Sequence, residues 1–101
     1  MNIIIIGAGE VGYYLSELLS SQGNAVTIIE SNPDRALKVD EELDVRVVRG
    51  NGSTAGILMD ANVASCEYFL AMTSDDRVNL IACSLAKKLC NKVTTVARIH
   101  D

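Results

Sequence analysis

Four consecutive isoleucines, Ile3 to Ile6, run straight into Gly7-Ala8-Gly9-Glu10-Val11-Gly12, and this junction narrows the possible folds more than any other segment. A short β-branched run ended by glycine reads as a strand buried on both faces. From Val11 the apolar period becomes helical, with Val11, Tyr14, Leu15, Leu18 and Leu19 on one stripe and Gly23 as the stop. A GxGxxG that joins a strand to a helix has a physical reason for each glycine. Gly7 permits the tight turn, Gly9 leaves room for a pyrophosphate to approach the backbone, and Gly12 lets the helix pack closely on the strand. Amides at the helix N-terminus then face the phosphates, where the helix dipole favours negative charge. Ala8, Glu10 and Val11 complete the candidate loop. Glu10 is an oddity in it, because a carboxylate repels a pyrophosphate unless it points to solvent.

The same alternation continues along the chain. Ala25 to Glu30 is a second apolar strand, and Asn32-Pro33 supplies an N-cap and a first-turn proline for a helix through about Leu43. Val45 to Val48 makes a third strand, followed by the loop Gly50-Asn51-Gly52-Ser53 and a short helix containing Ile57, Leu58 and Met59. Tyr68 to Met72 is strand four. Thr73 or Ser74 then caps a long helix whose apolar stripe is Val78, Ile81, Ala82, Leu85 and Leu89. Val93 to Ile99 closes the series as strand five. Five strands alternating with helices, joined by short right-handed crossovers, predict an α/β fold: a Rossmann-type, doubly wound parallel sheet in the order 3-2-1-4-5. With 101 residues the chain holds one domain, 1–101. Many such sheets continue with another helix and strand, so truncation at the C-terminal end is one reading of where the series stops.

Composition agrees and excludes several classes. Hydrophobic residues make up 49% of the chain but aromatics only 4%, so the core is built from Ile, Val, Leu and Ala, as in parallel sheets covered by helices. A net charge of -4 with scattered Lys and Arg argues against nucleic acid as a ligand, though not against a small phosphate held by backbone amides. Cys66, Cys83 and Cys90 lack a CxxC pair and sit in apolar periodic stretches, which reads as reduced core thiols; a metal site is the sharper alternative. The N-terminal apolar run is too short for a signal peptide and no later run reaches membrane-spanning length, so a soluble, cytosolic protein is expected.

Glu30 ends strand two a little over twenty residues beyond the glycines, where a carboxylate can accept hydrogen bonds from both hydroxyls of an adenosine ribose. Its charge repels a 2′-phosphate, which favours NAD over NADP, and nearby Arg35 softens that preference. Two more loops, Gly50 to Ser53 and Thr73 to Asp76, leave the same carboxyl edge, where ligands lie in open α/β sheets. Asn51 and Ser53 are candidates for adenine or ribose, the amides near Thr73 and Ser74 for the other half of a dinucleotide, and Arg98 for phosphate. Each has a plainer reading as turn chemistry, N-capping or a solvated side chain, and Asp75 and Asp76 suit a helix N-terminus on dipole grounds alone. No catalytic constellation stands out: the one histidine, His100, is near the C-terminus, and no lysine sits at a strand end facing the presumed cofactor. A ligand-free scaffold and the cofactor-binding fragment of an NAD-dependent dehydrogenase remain alternatives.

With those residues in place, the chain resembles the N-terminal nucleotide-binding domain, the RCK or KTN domain, of the Trk-type potassium-uptake regulatory subunits. The resemblance rests on Ile3 to Gly12, Glu30 with Arg35, Val45 to Ser53, Thr73-Ser74-Asp75-Asp76 with Asn79, and Ala97-Arg98-Ile99. Asn51 stands where many members have Asp, and Glu10 where many have Arg or Gln. The resemblance implies a regulatory subunit, not an enzyme. It is expected to be cytoplasmic and peripheral on the inner face of the membrane, to contact a potassium transporter subunit, to self-associate as a homodimer or homotetramer, and to respond to NAD or NADH, or alternatively to ADP and ATP.

Overall fold

Hydrophobic period alone places most elements, and a computed structural model, which describes residues 1–100, shows how they assemble. The last residue of the expected domain, Asp101, lies outside the described residues. The order is β1 (Asn2–Ile6), α1 (Glu10–Ser21), β2 (Ala25–Glu30), α2 (Pro33–Glu42), β3 (Arg46–Arg49), α3 (Ala55–Asp60), a 3-10 turn (Val63–Ser65), β4 (Tyr68–Ala71), α4 (Asp76–Leu89) and β5 (Thr94–Ala97). All pairings are parallel and the sheet order is β3-β2-β1-β4-β5, as the sequence predicts. β1 is central, with Ile3 opposite Val26 and Tyr68, and Ile6 opposite Ile29 and Ala71.

Alternate residues of β1 feed two cores, because successive side chains of a strand point to opposite faces. Ile3 and Ile5 pack with Val26, Ile28 and Val39, against Leu15 and Leu19 of α1. Ile4 and Ile6 pack with Ile29, Phe69 and Ala71, against Leu58, Ala82 and Ala86 of α3 and α4. Helices on both faces explain why the central strand is apolar without interruption. Cys66 is buried, and burial pushes its thiol up to about 11. Cys66, Cys83 and Cys90 are all free, and the described residues hold no cluster of three metal-ligating side chains.

The helix faces differ from the expected stripes. On α1 the buried residues are Gly12 and Ser16, while Tyr14 and Leu18 are exposed. On α4 they are Asn79, Ala82 and Ala86, and Ile81 is 50% exposed. Each helix lies so close to the sheet that only small or well-bonded side chains fit beneath its axis, and larger apolar ones are pushed to the flanks. The α4 N-cap is Asp75, not Thr73 or Ser74: its carboxylate accepts from the N–H groups of Arg77 and Val78. Strand five is shorter than the expected 93–99. After Ala97, the Arg98 carbonyl and His100 N–H are taken by side chains of α4 rather than by a ladder.

The tightest contact is at Gly12. A Cβ there would stand 1.7 Å from the Gly7 carbonyl oxygen, so α1 can cross the end of β1 only without a side chain. Gly7 itself has φ +98, a left-handed conformation that glycine adopts without strain. Gly12→Ala is therefore expected to lower unfolding free energy by about 3 kcal/mol or more. Gly56→Ala, on exposed helical backbone where a Cβ meets nothing within 4 Å, should raise it by about 0.5 to 1 kcal/mol. Urea denaturation of both variants beside the parent checks the pair, and equal stabilities would contradict this account of the junction.

Candidate functional site

The carboxyl ends of all five strands meet at one cleft of about 430 Å³. Its floor is Ile6, Ile29 and Met72, and its rim is formed by the loops that follow each strand. Gly7, Gly9 and Glu10 come from the first loop, Glu30, Ser31 and Arg35 from the second, and Gly50, Asn51 and Gly52 from the third. Thr73, Ser74 and Asp75 with Val78 come from the fourth, and Arg98 from the fifth. The structure thus brings most of the expected site residues together. It does not place Ala8, Val11, Gly12 or Ser53 in the lining: Ala8 and Gly12 are buried behind the loop, Val11 is half-buried in α1, and Ser53 turns back to Asn51. Ile6, Ile29, Ser31, Met72 and Val78 are lining residues that sequence reasoning missed. The position after Glu30 was the one available signal, for Ser31; apolar residues below a loop carry none.

The first turn of α1, which opens onto this cleft, has no side-chain cap, and in this it resembles α3 and differs from α2 and α4. α2 and α4 have their first N–H groups capped by the side chains of Asn32 and Asp75. The N-cap of α1 is Gly9, which has no side chain to cap with, so the N–H groups of its first turn are left to other partners. A Cβ built on Gly9 meets nothing within 4 Å, which shows open space before that helix end. Glu10, in the first turn, is exposed but also lines the cleft, so its charge faces any anion bound there unless neighbouring cations offset it.

Glu30 is a buried carboxylate, 6% exposed. One oxygen accepts from Ala8 N–H at 2.6 Å and the other from Asn32 N–H at 2.8 Å, so a single side chain pins the glycine loop to the start of α2. An ionised carboxylate has about four acceptor positions, and two are used. Ala8 therefore belongs to the site through its N–H, which supports Glu30 rather than a ligand.

Asn79 does the corresponding work on the other side of the cleft. It is fully buried in α4, its Oδ1 accepts from Thr73 N–H at 3.0 Å and Thr73 O–H at 2.6 Å, and its Nδ2 donates to the carbonyls of Thr73 and Arg98. The Thr73 amide, expected to face a ligand, is thus committed to Asn79. Arg98, which also lines the cleft, has its backbone carbonyl held by the same residue. Just outside, the Asp76 carboxylate accepts from His100 N–H and lies 2.6 Å from His100 Nδ1, holding His100 against the α4 N-terminus. In the third loop, Asn51 Oδ1 accepts from both Ser53 N–H and Ser53 O–H.

A family model described as the TrkA-N domain matches residues 3–101. The chain is 40% identical over 101 residues to the Trk system potassium uptake protein TrkA homolog of Pyrococcus abyssi, covering all of this chain and 44% of that protein. It is 38% identical over 101 residues to the Trk system potassium uptake protein TrkA of Haemophilus influenzae, covering all of this chain and 22% of that protein. The chain therefore spans less than half the length of these curated relatives. The crystal structure of the TrkA-N domain of inner membrane protein ybaL from Escherichia coli shares the fold, with a TM-score of 0.91 at 22% identity over 99% of this chain and 73% of that one. The GsuK channel bound to NAD aligns with a TM-score of 0.81 and 26% identity, over 93% of this chain and 17% of that one. GsuK bound to ADP aligns with a TM-score of 0.80 at the same identity, over 93% of this chain and 24% of that one.

Two measurements test this architecture. Asn79→Ala removes the partners of several backbone and hydroxyl groups at once, and is expected to cost about 2 to 4 kcal/mol by urea denaturation; a loss under about 0.5 kcal/mol would show that the network is dispensable. The hydrogen bonds from the His100 ring and then its N–H hold the Asp76 carboxyl below its ordinary value near 3.8. Stability from this contact is complete above that ordinary value and is lost as pH falls through the lower folded one. His100→Ala should move the Asp76 carboxyl back upward in an NMR titration, and an unmoved titration would refute the pairing.

Proposed function

This chain belongs to the TrkA-N domain family, and on that premise we propose that its cleft holds an adenine nucleotide whose binding regulates a potassium-transport protein. The candidates are NAD or NADH, with ADP or ATP as the alternative. The observation that carries this reading is the uncapped N-terminus of α1 opening, through Gly9, onto a cleft at the carboxyl edge of a parallel sheet. Backbone N–H groups and a helix dipole directed into open space suit an anion, and a diphosphate supplies one. The names of the relatives, and the NAD and ADP held by GsuK, support the same class of ligand and role.

The residues divide the task by chemistry. Gly9 with the amides of Glu10 and Val11 would take the phosphates, and Arg35 and Arg98 on the rim supply positive charge to offset Glu10. The unused acceptor positions of Glu30 suit ribose hydroxyls, and its charge disfavours a 2′-phosphate. Gly50, Asn51 and Gly52 close the adenosine side, and Ser74 with Asp75 faces the remainder of a dinucleotide. Regulation then needs the ligand to bind one conformation better than another, since equal affinity for two states shifts nothing. The natural relay is the pair of side chains that tie the loops, Glu30 and Asn79. Catalysis is not part of the proposal: Asp76 and His100 bond to each other, and neither lines the cleft.

The same premise carries the proposal that the chain acts at the cytoplasmic face of a membrane transporter subunit, as a dimer or tetramer. No helix among the described residues is long and apolar enough to cross a membrane.

Calorimetric titration with NADH, NAD, ADP and ATP tests the site, with Gly9→Ala as the diagnostic variant. Beyond the adjacent residues its Cβ meets nothing within 4 Å, so the cost to stability should be only that of a poorer N-cap, about 1 kcal/mol or less, while nucleotide affinity falls about tenfold, or 1.4 kcal/mol. Absence of binding by the parent chain, or equal affinities for parent and variant, would refute the proposal.

A further inference from the structure

One loop of the cleft carries chemistry that nucleotide binding does not use. Among the seven asparagines of the chain, only Asn51 precedes a glycine. An asparagine side chain can be attacked at Cγ by the backbone nitrogen of the next residue, and glycine allows this most readily because no side chain obstructs the closing ring. Asparagine is among the thermolabile residues for this reason. Asn32 precedes Pro33, whose nitrogen carries no hydrogen, and Asn79 is fully buried with every polar atom bonded. Asn51 is exposed.

Three features of the loop favour the reaction. The acceptor of Ser53 N–H, at 2.9 Å, must be Oδ1 and not Nδ2, because an N–H needs an acceptor; the side chain is therefore folded back along the Asn51–Gly52 peptide. Ser53 O–H also donates to Oδ1, at 2.7 Å, so two donors polarise the carbonyl that would be attacked. The Gly52 N–H, which must lose its proton, has no hydrogen-bond partner among the described residues.

We infer that Asn51–Gly52 is a site of spontaneous deamidation on the rim of the cleft, activated by Ser53. The Gly52 nitrogen bonds to Asn51 Cγ and loses its proton, while the Cγ–Nδ2 bond breaks and ammonia leaves, giving a cyclic imide. Water then opens the imide at one of its two carbonyls. Cleavage between Cγ and the Gly52 nitrogen leaves aspartate at position 51, and cleavage at the main-chain carbonyl leaves isoaspartate. Net, one water is consumed and one ammonia is released, with no oxidant or reductant.

The two products differ in consequence. Aspartate adds one negative charge and keeps the backbone. Isoaspartate inserts a methylene into the main chain next to Gly52, which lies so tightly on Ile6 that a Cβ there would be 2.4 Å from Ile6 Cδ1. The longer chain cannot keep that contact, so the loop lifts off the floor of the cleft and uncovers Ile6.

The purified chain is aged at mildly alkaline pH, digested and mapped by mass spectrometry, and isoaspartate is counted by enzymatic methylation. Conversion at Asn51 should outrun that at Asn24 and Asn91 by an order of magnitude, and Ser53→Ala should slow it several-fold. The isoaspartate-bearing fraction should melt below fresh protein, while Asn51→Asp melts with it. Equal rates at Asn51 and Asn24, an unchanged rate in Ser53→Ala, or a melting temperature unaffected by isoaspartate would each overturn the inference.

Discussion

The cleft exists because α1 crosses the end of β1 at van der Waals contact, with Gly12 against the Gly7 carbonyl. Moving that helix outward by the width of one methyl group would reposition its N-terminus and loosen Ile3 and Ile5 from Leu15 and Leu19 beneath it. Close-packed interiors do not absorb such a shift, because a void of that size forfeits dispersion contacts on both sides. The glycine loop is thus first a packing device, and the open space before Gly9 follows from the same approach.

Around that junction, two buried polar side chains organise the loops. Glu30 joins the first loop to the second through two backbone N–H groups, and Asn79 joins the fourth to the fifth through two carbonyls, an amide and a hydroxyl. Burying such groups is unfavourable unless their hydrogen bonds are met, and here they are met by loop backbone that helices and strands leave unpaired. The arrangement fixes both walls while leaving the α1 N-terminus between them uncapped. On the proposed function, a ligand that draws on Glu30 would also act on the loop that Glu30 holds.

Much of the lining of the candidate site was legible in the sequence for a simple reason: the loops around the cleft are marked by glycines, and a carboxylate stands at a strand end. Gly7, Gly9, Glu30, Gly50 and Arg98 all reach the cleft. The α4 cap was assigned to Thr73 or Ser74 rather than Asp75 because all three are good caps, and only geometry selects among them. Thr73 lost the role because Asn79 had already claimed its amide and hydroxyl. The helix stripes failed in a related way. Apolar period marks which side of a helix is buried but not how near its axis comes to the sheet, so Tyr14, Leu18 and Ile81 were counted inward where Ser16 and Asn79 lie instead.

By itself the sequence determined the alternation of strands and helices, the parallel order β3-β2-β1-β4-β5 and the edge at which the loops gather, because period, turn residues and crossover handedness are local or topological constraints. It could not determine which donors and acceptors are spent inside the protein and which remain for a ligand. That depends on distances between segments far apart in the chain, such as Ala8 to Glu30 and Asn79 to Arg98. Hydrogen bonds of that kind are decided only when packing has set the separation of the elements to within a few tenths of an ångström.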